Sequence, residues 1–228
     1  AIDKTSKSPI SEAFRILRTN IDFLFAGINK ETARVIFVTS SISSEGKTFI
    51  SSNIAKTLAI SGKKVAYIGA DLRFPKFHEI LDLPDGKMTK GFTNYITSPD
   101  IKVEDVIYKE NSDDPIHIIP SGIIPPNPSG LLMNERVQTM FNYLEKHFDY
   151  IIVDTAPVSL VTDTLLISKL ADLTIYVVKE NYSDKKLLSL PEKYHQEKRL
   201  VNLAVLLNNA STNMSGAYGY GYGYEAKS

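Results

Sequence analysis

Gly46-Lys47-Thr48 stands between an apolar, β-branched run at residues 34–40 and a helix-forming run at 47–61 that ends at Gly62. A Gly-Lys-Thr at a strand-to-helix junction sets backbone N–H groups and a helix N-terminus around an anion. In Ser41-Ile42-Ser43-Ser44-Glu45-Gly46-Lys47-Thr48, Lys47 is placed to reach the β- and γ-phosphates of a nucleotide. Thr48 offers a hydroxyl to magnesium, which favours oxygen ligands in octahedral geometry. ATP and Mg²⁺ are therefore the expected ligands, with Ser43, Ser44, Glu45, Gly46 and Phe49 completing the phosphate loop around Lys47 and Thr48. Ser41 occupies the place of the usual first glycine, so the pattern is incomplete. An ordinary Ser-rich turn opening a helix is the competing reading, and the strand-to-helix position favours the phosphate site.

The rest of the chain repeats the same alternation. Short apolar runs recur at 64–70, 116–120, 150–154, 174–178 and 203–208, with helix candidates at 90–96, 129–146, 161–170 and 184–198. Continuous hydrophobicity suits strands covered on both faces, so the pattern predicts a doubly wound, mostly parallel α/β sheet flanked by helices. At the start, Ser8-Pro9 reads as an N-cap and first helical residue, with Ile10, Phe14, Leu17, Ile21 and Leu24 forming an amphipathic stripe. At 228 residues one domain is expected, here 1–214, including an N-terminal helical region at 1–30, followed by a flexible tail at 215–228.

Composition narrows the function. The 26 basic and 26 acidic side chains cancel, which gives no electrostatic case for a nucleic-acid partner. Cysteine is absent, which removes disulfides and thiolate metal sites, and the composition is compatible with a reducing cytosol. No apolar stretch approaches the roughly 20 residues of a membrane-spanning helix.

Two further strands end on acids. Asp154 closes 150–154 and Asp71 follows 64–70, so both carboxylates are expected at the sheet edge that holds the phosphate loop. Asp154 fits a Walker-B acid, and Asp71 could orient magnesium or accept a proton from an attacking hydroxyl. Taken singly, each is equally a turn residue.

These parts, in this order, resemble the bacterial tyrosine kinase family, which acts in exopolysaccharide and capsule production and is related to the MinD-like P-loop ATPases. The resemblance rests on Ser11-Glu12-Ala13-Phe14-Arg15-Ile16-Leu17-Arg18, the P-loop, Ala70-Asp71-Leu72-Arg73-Phe74-Pro75, Pro125-Pro126-Asn127-Pro128-Ser129, Asp154-Thr155-Ala156-Pro157 and the Gly/Tyr-rich end. It implies Walker A at Lys47 and Thr48, Walker A′ at Asp71 and Walker B at Asp154. Lys47, Asp71 and Asp154 are then the catalytic residues, Thr48, Asp71 and Asp154 the metal ligands, and Asn208 or Asn209 the adenine contact. It also implies oligomerisation through Glu12, Arg15 and Arg18, although by spacing alone these form a solvated helix face. Tyr218, Tyr220, Tyr222 and Tyr224 become acceptors for phosphorylation in trans within a ring-like homo-oligomer.

Two departures from the family pattern stand out. Gly69 replaces the first acid of Asp-x-Asp at Walker A′, and Ser43-Ser44 replaces the Pro-Gly that commonly precedes Glu45-Gly46. The resemblance further implies an activating transmembrane polysaccharide co-polymerase segment, fused upstream of Ala1 or carried on another chain. The absence of an initiator Met favours fusion, and the expected location is cytoplasmic, at the inner face of the plasma membrane. Two rival readings use the same site: a MinD-like ATPase switch that never phosphorylates protein, and a nucleotide-binding scaffold that does not consume ATP. The four tail tyrosines favour the kinase, while Gly69 argues mildly for the switch.

Overall fold

The uninterrupted apolar run at 34–40 has a simple cause: the strand it forms, β1 (Arg34–Ser40), is buried on both faces. Val35 and Phe37 enter one core while Ile36 and Val38 enter another on the opposite side, as alternate strand residues must. The computed structural model describes residues 8–75 and 90–211, so the tail tyrosines Tyr218, Tyr220, Tyr222 and Tyr224 lie outside the described residues. Within these the chain runs α1 (Pro9–Phe25), β1, α2 (Lys47–Ile60), β2 (Val65–Gly69), α3 (Phe92–Thr97), β3 (Tyr108–Lys109), β4 (His117–Ile119), α4 (Pro128–Leu132) and α5 (Glu135–His147). It continues through β5 (Tyr150–Asp154), α6 (Asp163–Ile167), β6 (Leu173–Lys179), α7 (Ser189–Gln196) and β7 (Leu203–Asn208).

The strands form one sheet ordered β3-β4-β2-β5-β1-β6-β7, parallel except where β3 meets β4. This is the doubly wound, mostly parallel fold that the alternation predicts. On one face α5 docks through Val137, Met140, Phe141 and Leu144; on the other, α1 and α2 supply Phe14, Ile21, Ile50, Ile54 and Leu58. Each such side chain contributes about 1.5–3 kcal/mol on burial, so packing rather than helix propensity holds these helices. Because β2, β5 and β1 are neighbours, the loops leaving their C-terminal ends share one crevice near the point where the strand order reverses.

Several boundaries differ from expectation. Residues 129–146 form two helices, because Asn134 accepts the Arg136 N–H at 2.9 Å and starts α5 afresh. The stretch at 161–170 divides into α6 and a 3₁₀ turn, Ser168–Leu170, and 184–198 opens with another, Lys185–Leu188. In α1, Ser8 caps the Ser11 N–H at 3.3 Å as expected. Its buried stripe, however, passes through Ser11, Phe14, Ile21 and Phe25, leaving Ile10 and Leu24 exposed on the flanks. Strand β3 is too short to show an alternation and is not foreseen.

Candidate functional site

The phosphate loop joins β1 to α2 and is braced from outside. Gly46 caps α2 at φ 98°, a left-handed conformation suited to glycine. A Cβ there would stand 2.2 Å from Nδ2 of Asn208, whose amide donates to the Glu45 carbonyl at 2.9 Å. The Glu45 carboxylate is turned inward and fully buried, accepting the Ile42 N–H at 2.8 Å and the Ser183 hydroxyl. Glu45 thus ties the start of the loop, at Ile42, to the turn that carries Ser183.

Ser41, standing in the place of a glycine, is also buried; its hydroxyl meets the Tyr176 hydroxyl at 2.9 Å. The Ser41 carbonyl accepts the Ser159 N–H at 3.2 Å as well as the Ser159 hydroxyl. Tyr182 donates its hydroxyl to the Ser43 carbonyl at 3.2 Å. Sequence reasoning missed the bracing residues Ser159, Tyr176, Tyr182 and Ser183. They are ordinary serines and tyrosines whose role exists only once distant segments meet.

Behind the loop stand the acids. Asp154 aligns with Val38 on β1 and with Gly69 on β2, at the end of a fully buried strand. Burial pushes its carboxyl up to about 7, against opposing effects from a Thr48 hydrogen bond and the Lys47 charge; the Asp71 charge adds to the rise and a Ser51 hydrogen bond counters it. Lys47, Thr48, Asp71 and Asp154 therefore share one electrostatic environment. Beneath them the Tyr67 hydroxyl meets Ser51 at 2.9 Å, and burial, then the Asp154 charge, raise its pKa well above the usual phenol value.

Asp71 is half-buried, and one of its oxygens is engaged in a turn: Oδ1 accepts the N–H groups of Arg73 at 3.2 Å and Phe74 at 3.1 Å. The turn reading of this residue is realised, alongside its place at the crevice. Gly69 leaves only Asp154 at that level of β2 and β5.

A second polar cluster ties the Asp71 loop down. Arg73 donates through Nε to Asp163 Oδ2 at 2.7 Å and through a terminal nitrogen to Asp163 Oδ1 at 3.1 Å and Ser129 at 3.2 Å. Ser129 donates to Asp163 Oδ1 at 2.7 Å. Burial alone would raise the Asp163 carboxyl, but bonds from Arg73 and Ser129 and the guanidinium charge hold it below the ordinary range. Asp163 was not anticipated; its only sequence signal is an acid at the start of a short helix.

Does this crevice suit magnesium? Oδ1 of Asp154 is buried without a hydrogen-bond partner, which costs free energy unless a cation or donor meets it. A carboxylate beside the Thr48 hydroxyl is the oxygen donor set magnesium takes when substrate phosphates and waters fill its other positions. Among the described residues no three acidic or imidazole groups form an all-protein metal cage. The residues fit a phosphate-shared ion.

The remaining expected residues sit around this centre. The Phe49 ring packs edge-on against Phe14 at 6.0 Å, so α1 touches the helix that carries Lys47 and Thr48. Asn208 is engaged with Glu45, while Asn209 is exposed at φ 59°. On α1, Arg15 pairs with Glu12 at 3.0 Å on the helix surface, the internal pair that their spacing allows.

Residues 33–202 match the AAA domain family. The chain is 35% identical to the putative tyrosine-protein kinase CapB of Staphylococcus aureus, covering 79% of this chain and 77% of CapB. It is 30% identical to the tyrosine-protein kinase etk of Escherichia coli (strain K12), covering 96% of this chain but 29% of etk. The crystal structure of the chimerical protein CapA2B2 superposes with a TM-score of 0.79 at 30% identity, covering 91% of this chain and 88% of the chimera. The septum site-determining protein MinD of Pyrococcus horikoshii, complexed with Mg-ADP, shares the fold at a TM-score of 0.63 and 20% identity, covering 79% of this chain and 72% of MinD.

Proposed function

Because the chain belongs to the bacterial tyrosine-protein kinase family, we propose that it binds ATP with Mg²⁺ and transfers the γ-phosphoryl group to tyrosine hydroxyls, Tyr218, Tyr220, Tyr222 and Tyr224 foremost. The observation that carries this reading is Asp154: a buried acid with an unpartnered oxygen, coupled to Lys47 and Thr48 at the mouth of the phosphate loop. The backbone N–H groups of the loop and the Lys47 ammonium bind the triphosphate and stabilise charge on the transferring group. Magnesium, held by Thr48 and Asp154, supplies further charge neutralisation when bound. Asp71 positions the tyrosine hydroxyl and accepts its proton; with Gly69 in place of a second acid, it does so alone.

Incubation with labelled ATP and magnesium, followed by mapping of labelled tyrosines, tests this. Label is expected in the tail, and Lys47→Met, which removes the charge at nearly constant length, abolishes it in a folded protein. A folded Lys47→Met variant that labels at the wild-type rate would show that the site is elsewhere. Gly69 is the one observation favouring a MinD-like switch, which predicts ATP hydrolysis with no labelled tyrosine.

Membership of this family also supports a role in exopolysaccharide or capsule synthesis, self-association in a ring, and activation by a transmembrane co-polymerase segment, fused or separate. On that reading the domain works at the inner face of the plasma membrane. Among the described residues no helix is long and apolar enough to cross a membrane.

A further inference from the structure

The turn after β6 grips the outer corner of the phosphate loop at two adjacent carbonyls. It is closed on itself: the Ser183 N–H donates to the Lys179 carbonyl at 3.0 Å, and the Lys179 N–H donates to the Ser183 hydroxyl at 2.9 Å. Asn181 completes it in the left-handed region at φ 57°. This turn holds Tyr182 with 48% of its surface exposed while its hydroxyl reaches the Ser43 carbonyl at 3.2 Å. The Lys179 ammonium lies 4.9 Å from the Tyr182 ring centre and 3.5 Å from the Ser44 carbonyl. Ser44 is itself at φ 67°, where a residue with a side chain persists only if its surroundings hold it.

We propose that Tyr182 is a second phosphate acceptor of this enzyme, and that its modification releases the phosphate loop and weakens nucleotide binding. The proposal rests on the kinase reading above. Transfer breaks the bond between the γ-phosphorus and the β,γ-bridging oxygen and forms a bond to the Tyr182 hydroxyl oxygen; the hydroxyl proton leaves and ADP is the product. The hydroxyl faces a carbonyl on the outside of its own loop, so the donor is ATP bound to another copy of the chain. The phosphorylated oxygen no longer carries a proton for Ser43. Its phosphate brings about −1.5 to −2 charges next to two carbonyl oxygens and the place of the nucleotide phosphates. It also draws the Lys179 ammonium away from the Ser44 carbonyl, because a dianion outcompetes a neutral oxygen for a cation. Both ties of the Ser43-Ser44 corner are lost in one step.

The test uses the full chain with Tyr218, Tyr220, Tyr222 and Tyr224 replaced by Phe, with and without Tyr182→Phe. Each is incubated with ATP and magnesium, mapped for phosphotyrosine, and titrated with a fluorescent ADP analogue before and after phosphatase treatment. The tail variant is expected to carry phosphate on Tyr182 and to bind the analogue about tenfold or more weakly until the phosphate is removed. Tyr182→Phe, which loses one hydrogen bond and keeps the ring, weakens binding only about three- to tenfold and is insensitive to phosphatase. A wild type labelled in its tail beside a tail variant with no phosphate on Tyr182 overturns this inference alone. So does a phosphorylated Tyr182 that leaves affinity unchanged. A wild type with no labelled tyrosine removes the kinase reading, and this inference with it.

Discussion

Asp154 concentrates the physics of the site in one side chain, and its protonation has a measurable consequence. Its folded pKa of about 7 lies above the ordinary 3.8, so the folded protein holds this proton more tightly than the unfolded chain does. The stability it contributes is therefore present below about pH 4 and is lost as pH rises through about 7. At about 1.4 kcal/mol for each pH unit between those limits, the loss across that window is on the order of 4 kcal/mol. Urea unfolding of the nucleotide-free protein at pH 5 and pH 8 should show wild type losing stability relative to Asp154→Asn, which cannot titrate. An equal difference at both pH values would mean that Asp154 is ionised throughout. The same variant should lose magnesium-dependent tightening of nucleotide binding. Positions such as Lys47, Thr48 and Asp154 could be read from sequence because each follows from local order: a loop before a helix, an acid after a strand. The contacts Ser41–Tyr176 and Arg73–Asp163 could not, because their partners lie 135 and 90 residues apart and nothing local marks them.

At the scale of elements, the sheet was readable because strands covered on both faces leave continuous apolar runs, whereas the helices broke where a capping residue intervened. Asn134 is such a case: its side chain ends one apparent helix and starts another. What joins elements around the crevice is Arg73, linking the loop after β2 to α4 through Ser129 and to α6 through Asp163. The Asp163 side chain is 2% exposed and that of Arg73 is 34% exposed, so removing the guanidinium leaves a buried carboxylate with the Ser129 hydroxyl but without its Arg73 counter-charge. Arg73→Ala should cost about 2–4 kcal/mol in chemical denaturation. Arg73→Lys should fall between, since an ammonium keeps the charge but not the two-pronged geometry. Equal stability of all three proteins would show the cluster to be incidental. For α1, the exposed Glu12–Arg15 pair contributes only about 0.2–0.5 kcal/mol to the helix, so the stripe can be changed without unfolding the domain. Arg15→Ala with Arg18→Ala should move the protein towards monomer in light scattering. An unchanged mass over concentrations at which wild type assembles would remove α1 from the interface.

For the whole molecule, the proposed chemistry couples assembly to the chain's end. Tyr218, Tyr220, Tyr222 and Tyr224 are tethered to β7, whose last residue, Asn208, braces the phosphate loop through Glu45. If the chain assembles as proposed, tethering would raise the effective concentration of these hydroxyls near nucleotide sites of the same assembly, to the millimolar range for short linkers, and so favour them as acceptors without tight sequence recognition. On the proposed function, the tail of one subunit of a ring would serve as substrate for its neighbour, and labelling should depend on assembly. Each phosphate adds about −1.5 to −2 charges, and several on alternate residues repel one another as well as the acids Asp71 and Asp154 at the crevice. Phosphorylation should then expel the tail and loosen the oligomer, more strongly at low salt, where screening is weak. Replacing the four tyrosines with Phe should preserve nucleotide binding and assembly while removing most labelling. A fully phosphorylated wild type that sediments as the same oligomer as the unphosphorylated protein, at low and at physiological ionic strength, would separate the tail's role as substrate from any role as a switch.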